Sequence, residues 1–218
     1  MRGKVVCIFS VVLLWCVFVF PKESSAFILI SEIFADPATN LTGDSNQDGV
    51  SSSTQDEFIE IFNNYLSAVD ISGWSIKDST ATRHVFPNST VLNPLQYLVI
   101  FGGGAPNIPE VFWQKSSTGG LSLNNTGDTV SIYDNQNQLV DQIVYGAIGG
   151  QDQSIVRTSL EKDASLALYS SLPDANGEIF SPGRGQEVPA ASTVPENNTW
   201  VYFSLLSAVA LFRKHLFI

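Results

Sequence analysis

A short acidic loop holds the side chains whose types and spacing are best suited to chemistry. Asp44, Asn46 and Asp48 occupy alternate positions, and Gly49 allows the sharp turn that would direct their oxygens toward one point. Calcium binds several carboxylate, amide and backbone carbonyl oxygens at once. The sequence therefore predicts a structural calcium site formed by Asp44, Asn46, Asp48, the Val50 carbonyl, Asp56 and Glu57.

The same loop has a second interpretation that needs no metal. Asp, Asn and Gly favour hydrogen-bonded turns in water whether or not a cation is present. Gln55 also replaces the glutamate that calcium loops of this spacing usually carry at that position. A bound cation would join the loop to the start of the strand that follows, and a solvated turn remains the alternative.

The residues needed for nucleophilic or zinc chemistry are scarce. His84 is the one histidine outside the C-terminal tail, so a zinc site with several histidine ligands is excluded. No Gly-x-Ser-x-Gly motif accompanies it as a serine hydrolase would require. Beside Val85 and Phe86, His84 is expected on the surface of a strand.

Paired carboxylates are the remaining route to catalysis. Glu57 with Glu60, or Asp141 with Glu161, could hydrolyse a polysaccharide if the two acids of a pair faced one sugar. Acidic chains contain many such pairs by chance. We therefore expect a protein that is not an enzyme, with a small secreted polysaccharide hydrolase as the alternative.

The charge of the central region restricts the class of partner. Residues 27–196 contain six Lys and Arg against twenty Asp and Glu, which gives 6 − 20 = −14. Binding to nucleic acid phosphates requires clustered Lys and Arg, so a nucleic acid partner is not expected. An acidic surface of this kind suits an extracellular protein that meets divalent cations.

The N-terminus predicts export. Arg2 and Lys4 precede an apolar run over residues 5–20, and the small residues of 24–26 follow it. This order predicts a signal peptide over residues 1–26, with a retained membrane anchor as the alternative. Both cysteines, Cys7 and Cys16, lie inside this segment, so the mature protein would have neither thiols nor disulfides.

The C-terminus predicts attachment to a membrane. A linker of small residues and proline over 186–198 leads to a hydrophobic segment over 199–218, which ends near the basic group Arg213-Lys214-His215. With Val194-Pro195-Glu196 before it, this tail resembles a PEP-CTERM sorting signal, although Asn197 replaces the second proline. The resemblance implies processing by an exosortase. A plain membrane anchor and a GPI signal are the alternatives.

The region between the two ends predicts an all-β fold. Apolar and β-branched runs separated by Gly, Pro, Asn and Ser predict many short strands and no long helix. Residues 108–114 are expected to form a short helical turn over a sheet edge. Phe112, Trp113, Tyr145 and Tyr169 could form an aromatic platform for sugars, but burial in the core is favoured. The predicted strands cover residues 27–34, 57–63, 74–77, 96–101, 128–133 and 139–145, with weaker ones at 154–158 and 166–170.

Several motifs in this region, in order, resemble the lamin tail domain in its secreted bacterial form. They are Ile30-Ser31-Glu32-Ile33, residues 56–63, Asp70-Ile71-Ser72-Gly73-Trp74, His84-Val85-Phe86-Pro87, residues 95–100, Gly127-Asp128-Thr129-Val130 and Phe180-Ser181-Pro182-Gly183.

The resemblance covers residues 27–185 and implies an immunoglobulin-like β-sandwich without catalytic residues. Phe58, Ile61, Trp74 and Ile76 would then belong to the core, and Glu60 and Asp70 would lie where strands meet loops. The combined expectation is an exported, non-enzymatic module at the cell surface or secreted. It would be held at a membrane transiently or permanently, with an extracellular polysaccharide or envelope protein as partner.

Overall fold

The computed structural model describes residues 27–184, which form two main β-sheets and a small third one. The predicted signal peptide, linker and hydrophobic tail lie outside the described residues. The strands are β1 (Ile28–Phe34), β2 (Phe58–Asn63), β3 (Val69–Asp70), β4 (Ser75–Lys77), β5 (Thr82–Val85), β6 (Val91–Leu92), β7 (Tyr97–Phe101), β8 (Trp113–Lys115), β9 (Asp128–Tyr133), β10 (Leu139–Tyr145), β11 (Ile155–Arg157) and β12 (Leu166–Leu168). Short 3₁₀ turns cover Leu41–Gly43, Ala147–Gly149 and Tyr169–Ser171.

The two main sheets pack face to face as a β-sandwich, which confirms the predicted all-β architecture. One sheet has the order β12-β11-β1-β2-β7-β8 and the other the order β10-β9-β4-β5, while β3 pairs with β6. Alternate side chains from both sheets meet in one apolar core, as the period of two along a strand requires. This core includes Ile30, Ile59, Ile76, Val130 and Ile143.

The six-stranded sheet is also covered on its outer face, which the sequence pattern does not predict. Alternation in residues 56–62 predicts a strand with one solvated face, yet every residue of β1 and β2 is buried. The outward side chains Phe34, Phe58 and Phe101 form a second apolar cluster, against which Phe180 packs from the C-terminal region. The chain after β12 therefore supplies part of a third layer.

The main strands lie where they are predicted, but the shorter elements differ. β3, β5, β6 and β8 have no counterpart among the predicted strands. The helical turn predicted over residues 108–114 is wrong at its C-terminal end, because Trp113 pairs with Val99 in a parallel β7–β8 ladder. Within residues 27–184, no helix combines the length and hydrophobicity needed to cross a bilayer.

Three predicted positions need correction or refinement. His84 is buried rather than on the strand surface, because its ring packs edge-on against Phe86 at 4.7 Å and Nε2 lies 2.8 Å from Gln114 Oε1. Glu60 lies inside β2 and not at a strand end. Trp74 contacts the core but is half-buried, whereas Ile76 and Ile61 are fully enclosed in it.

Candidate functional site

The acidic loop is held in a tight turn by its own side chains. The Asp44 carboxylate accepts hydrogen bonds from the backbone N–H of Asp48 at 3.2 Å and of Gly49 at 2.9 Å. Asn46 Oδ1 also accepts from Asp48 N–H at 3.0 Å, and Asp48 Oδ1 accepts from Val50 N–H at 2.9 Å. Short Asp and Asn side chains form such bonds to the following backbone readily, which explains why this sequence turns here.

Further hydrogen bonds attach the loop to the residues before β2 and after β7. The Asp56 carboxylate accepts from Asn46 N–H at 3.3 Å and from Ser52 N–H at 2.7 Å. Asp48 Oδ2 accepts from Ala105 N–H at 2.9 Å. Burial raises the pKa of Asp56, and the neighbouring charges of Asp44 and Asp48 raise it further. The structure therefore brings the side chains of four predicted ligands, Asp44, Asn46, Asp48 and Asp56, together at one end of the sandwich.

Gln55, which was not included among the predicted ligands, joins this group. Asn46 Nδ2 and Asp48 Oδ2 lie 2.5 and 2.6 Å from the point that a Cβ atom on Gly104 would occupy, and Gln55 Oε1 lies 3.4 Å from it. Asn46 is fully buried, and its Nδ2 has no hydrogen-bond partner. The spacing of calcium loops was the available signal, because Gln55 stands at the twelfth position counted from Asp44.

Glu57 and the Val50 side chain point elsewhere. Backbone hydrogen bonds to Glu57 come from Ser122 and Leu123, outside the loop, and burial raises the pKa of Glu57 to about 8. The Val50 side chain is exposed, so only its carbonyl is a candidate ligand. Within residues 27–184, no three His, Cys, Asp or Glu side chains are arranged to hold a metal ion.

A cation in this loop would consequently depend on amide and backbone oxygens as much as on carboxylates. The oxygen atoms that could coordinate a cation are the carboxylates of Asp44 and Asp48, the amide oxygens of Asn46 and Gln55, and the Val50 carbonyl. An all-oxygen set with few charges matches calcium, which accepts neutral carbonyl ligands, better than it matches zinc. The unpartnered Nδ2 of Asn46 is a hydrogen-bond donor, so only the amide oxygen of this side chain could bind a cation.

The carboxylate pairs predicted for hydrolysis have separate partners. Glu60 accepts from Ser31 Oγ at 2.7 Å and from Gly183 N–H at 2.7 Å, whereas Glu57 faces residues 122–123. Asp141 forms a buried ion pair with Arg157 at 2.9 Å. Neither pair therefore presents two free acids to a common substrate position.

The Asp141–Arg157 pair instead supports an irregularity in β1. The pairing register between β1 and β2 shifts between Ile30 and Glu32, which leaves Ser31 without a partner in that ladder. Ile30 lies beyond the β1–β11 pairing, which ends at Glu32. Asp141 Oδ2 accepts from Ile30 N–H at 2.7 Å, and Arg157 Nε donates to the Ile30 carbonyl at 2.8 Å. The ion pair thus fills both hydrogen-bonding positions of one buried residue and joins the two sheets.

Glu32 and Glu60 form an acid pair that the sequence analysis missed. They lie directly opposite each other in the β1–β2 ladder, and they are 1% and 0% exposed. Burial raises the pKa of both carboxyls, and the charge of Glu32 raises that of Glu60 further. The alternating pattern of β2 gave no signal for this pair. The residues that cover the two glutamates, Ser181 and Gly183, are distant from them in the sequence.

The aromatic residues considered for sugar binding do not form a common platform. Tyr145 and Phe112 contact the main core, Trp113 packs against the outer-face cluster, and Tyr169 belongs to a separate cluster with Val156. A cleft of about 600 Å³ lies between residues 108–111 and 178–184, close to the acidic loop. Its size is within the usual range for small-ligand sites.

Comparison with known families agrees with this architecture. The model of the lamin tail domain matches residues 21–147, more than half of the chain. The chain belongs to the lamin tail domain family. The fold is accordingly an immunoglobulin-like β-sandwich, of a family that is not enzymatic and is compatible with a structural or binding module. No curated protein matches the chain. β11, β12 and the residues that follow lie beyond the matched region.

Proposed function

We propose that the chain is an exported, non-enzymatic module that serves a binding or structural role in the cell envelope or extracellular matrix. The order of basic, apolar and small residues in 1–26 supports export, and the hydrophobic and basic residues of 199–218 support attachment at a membrane. Membership of the lamin tail domain family supports a module without catalytic residues. Extracellular polysaccharide and envelope proteins are the proposed partners, and the cleft beside the acidic loop is the proposed contact region.

Calcium bound in the acidic loop would stiffen this end of the module. The observation that carries this part is the proximity of the Asp48 carboxylate, the Gln55 amide oxygen and the Asn46 side chain beside Gly104. Asp44 and the Val50 carbonyl complete the proposed ligand set, and Asp56 would position the loop through Asn46 N–H. Glu57, whose carboxylate faces residues 122–123, is not needed for it.

A thermal unfolding experiment tests the calcium site. For the full chain in detergent, Tm should be higher with added calcium than with chelator. At a free calcium concentration one hundred times Kd, the free energy of unfolding should rise by about 2.7 kcal/mol. Asp48→Ala should remove this difference. Asp134→Ala is the matched control, because Asp134 also accepts two backbone N–H bonds in a turn but lies in the β9–β10 hairpin.

The outcomes separate the metal from the turn. If calcium stabilises the protein, Asp48→Ala abolishes the response and Asp134→Ala retains it, the loop is the site. Identical melting curves with calcium and with chelator would overturn the calcium proposal, and isothermal titration with calcium would check the result directly.

The export proposal is tested on intact cells. Protease added outside should digest the domain, and the mass of the recovered protein should lack residues 1–26. Protection of the domain until the cells are lysed, together with retention of residues 1–26, would contradict export, whatever the result of the calcium experiment.

A further inference from the structure

Residues 169–184, here named the C-terminal arm, lie across the outer face of the six-stranded sheet. Ser154 N–H donates to the Ile179 carbonyl at 2.9 Å, which attaches the middle of the arm beside β11. The Phe180 ring then packs on Phe34 with 5.1 Å between ring centroids, and it meets Phe58 edge-on at 6.5 Å. The arm therefore covers an apolar surface that would otherwise face solvent.

The end of the arm is fixed by the buried acid pair. Ser181 N–H donates to Glu32 Oε1 at 2.9 Å, and Ser181 Oγ donates to Glu32 Oε2 at 2.7 Å. Gly183 N–H donates to Glu60 Oε2 at 2.7 Å. From the sheet side, Ser154 Oγ donates to Glu32 and Ser31 Oγ donates to Glu60. Each glutamate thus holds one residue of the arm, and the donors are hydroxyls and backbone amides rather than cations.

Two ionised carboxylates in these positions would repel each other strongly. They occupy opposed positions of adjacent strands, and neither is exposed to water, so the repulsion is weakly screened. Burial, the largest cause, raises the pKa of Glu32 and of Glu60, and the Glu32 charge adds to the effect on Glu60. A buried acid pair of this type commonly titrates as one unit that keeps a single proton over a wide pH range.

The other titratable groups that face the pair do not remove this repulsion. Arg184 lowers the pKa of Glu32, but its guanidinium is paired with Glu178 at 2.7 Å on the exposed side of the arm. Burial raises the pKa of Tyr97 on β7, and the charges of Glu60 and Glu32 raise it further. Burial also raises the pKa of Tyr169 on the arm, to which the charge of Glu32 adds. These tyrosines are neutral while the pair first loses its proton.

We propose that the C-terminal arm is a proton-dependent cover, which stays docked while Glu32 and Glu60 together keep one proton and opens when that proton is lost. The direction follows from linkage. Because the pKa of each carboxyl is higher in the folded protein than in an unfolded chain, their contribution to stability is fully present below the unfolded value. It is lost as the pH rises through the folded value. Alkaline conditions therefore release the arm, and acidic conditions hold it.

Hydrogen exchange measured by mass spectrometry tests this cover in the full chain. Exchange of peptides from the arm would be compared with that of peptides from β9 and β10, after correction for the intrinsic pH dependence of exchange. Between about pH 6 and about pH 10, protection of the arm should fall by about tenfold for each pH unit above the pKa of the pair. Protection of β9 and β10 should change far less.

Glu60→Gln is the decisive variant. Its amide is neutral at every pH, so the second negative charge of the pair cannot form and the arm should remain protected throughout the same pH range. Glu178→Gln is the matched control, because it removes an acid from the arm that is exposed and not part of the pair. That variant should keep the pH dependence of the unmodified chain.

Three results would overturn the proposal. One is arm protection that follows only the intrinsic exchange rate in the unmodified chain. Another is loss of the pH dependence in Glu178→Gln. A third is unchanged pH dependence in Glu60→Gln. Should Glu60→Gln fail to fold, Glu32→Gln supplies the same neutral amide on the opposed strand and is expected to give the same pH-independent protection.

Discussion

The carboxylates of the acidic loop and those buried in the sandwich are held in different ways. Asp44 and Asp48 accept hydrogen bonds from backbone amides of their own turn and remain partly exposed to solvent. Asp141 is instead neutralised by Arg157, and Glu60 lies beside Glu32 with no water contact. The carboxylates of the loop lie at the surface, whereas each buried carboxylate needs a partner in the interior that compensates its charge.

The contrast separates the acids that carry stability from those that are available for a ligand. A buried carboxylate is tolerated only with a partner, so removing that partner leaves an uncompensated charge in a weakly polar environment. Replacing a carboxylate in a solvated turn lowers the free energy of unfolding only slightly, because water can hydrogen-bond to the groups it leaves. We therefore expect the effects of substitutions on stability to become smaller from the interior to the loop.

Arg157→Leu is expected to have the largest effect, a loss of about 3–5 kcal/mol in the free energy of unfolding. The variant leaves the Asp141 charge buried, and it removes the Nε donor to the Ile30 carbonyl. Urea unfolding monitored by circular dichroism measures the change. The control Arg184→Leu breaks an ion pair whose side chains are 59% and 46% exposed, and it should change stability by about 0–1 kcal/mol. Equal losses in the two variants would contradict the contrast drawn between interior and surface.

Sequence distance explains why the loop could be predicted and the buried pair could not. The loop side chains and their amide donors lie within a few residues, so the spacing of Asp44, Asn46 and Asp48 was sufficient. Glu60 is covered by Gly183, which is 123 residues away, and Glu32 by Ser181, which is 149 residues away. The pattern of β2 identified a strand but carried no information on which chain segment would cover its second face.

The same reasoning applies to the short elements. The long strands β1, β2, β9 and β10 have clear apolar patterns and were predicted near their observed positions. β8 contains three residues and exists because Trp113 lies beside Val99 in the folded chain. Propensity is a weak guide when tertiary pairing decides the conformation.

Gly104→Ala tests the junction between the loop and the sheet, with an expected loss of about 2–3 kcal/mol. Gly104 has a φ of +74°, and an added Cβ would overlap Asn46 Nδ2 and Asp48 Oδ2. Gly119→Ala is the matched control, because Gly119 has a φ of +89° but no atom within 4 Å of an added Cβ. It should lose about 1 kcal/mol from backbone strain alone. A loss in Gly104→Ala no larger than in the control would show that the convergence beside Gly104 is not tightly packed.

The smallest effects are expected in the loop itself, from Asp44→Ala and Asp44→Asn measured in the presence of chelator. Asp44→Ala removes the acceptor for the N–H groups of Asp48 and Gly49, which should lower stability by about 1 kcal/mol because water can replace it. Asp44→Asn retains one of the two acceptor oxygens and should lower stability by about 0.5 kcal/mol, less than Asp44→Ala. Urea unfolding measures both. A loss above about 2 kcal/mol in Asp44→Asn would mean that the loop depends on the charge itself even without a cation, as the buried acids do.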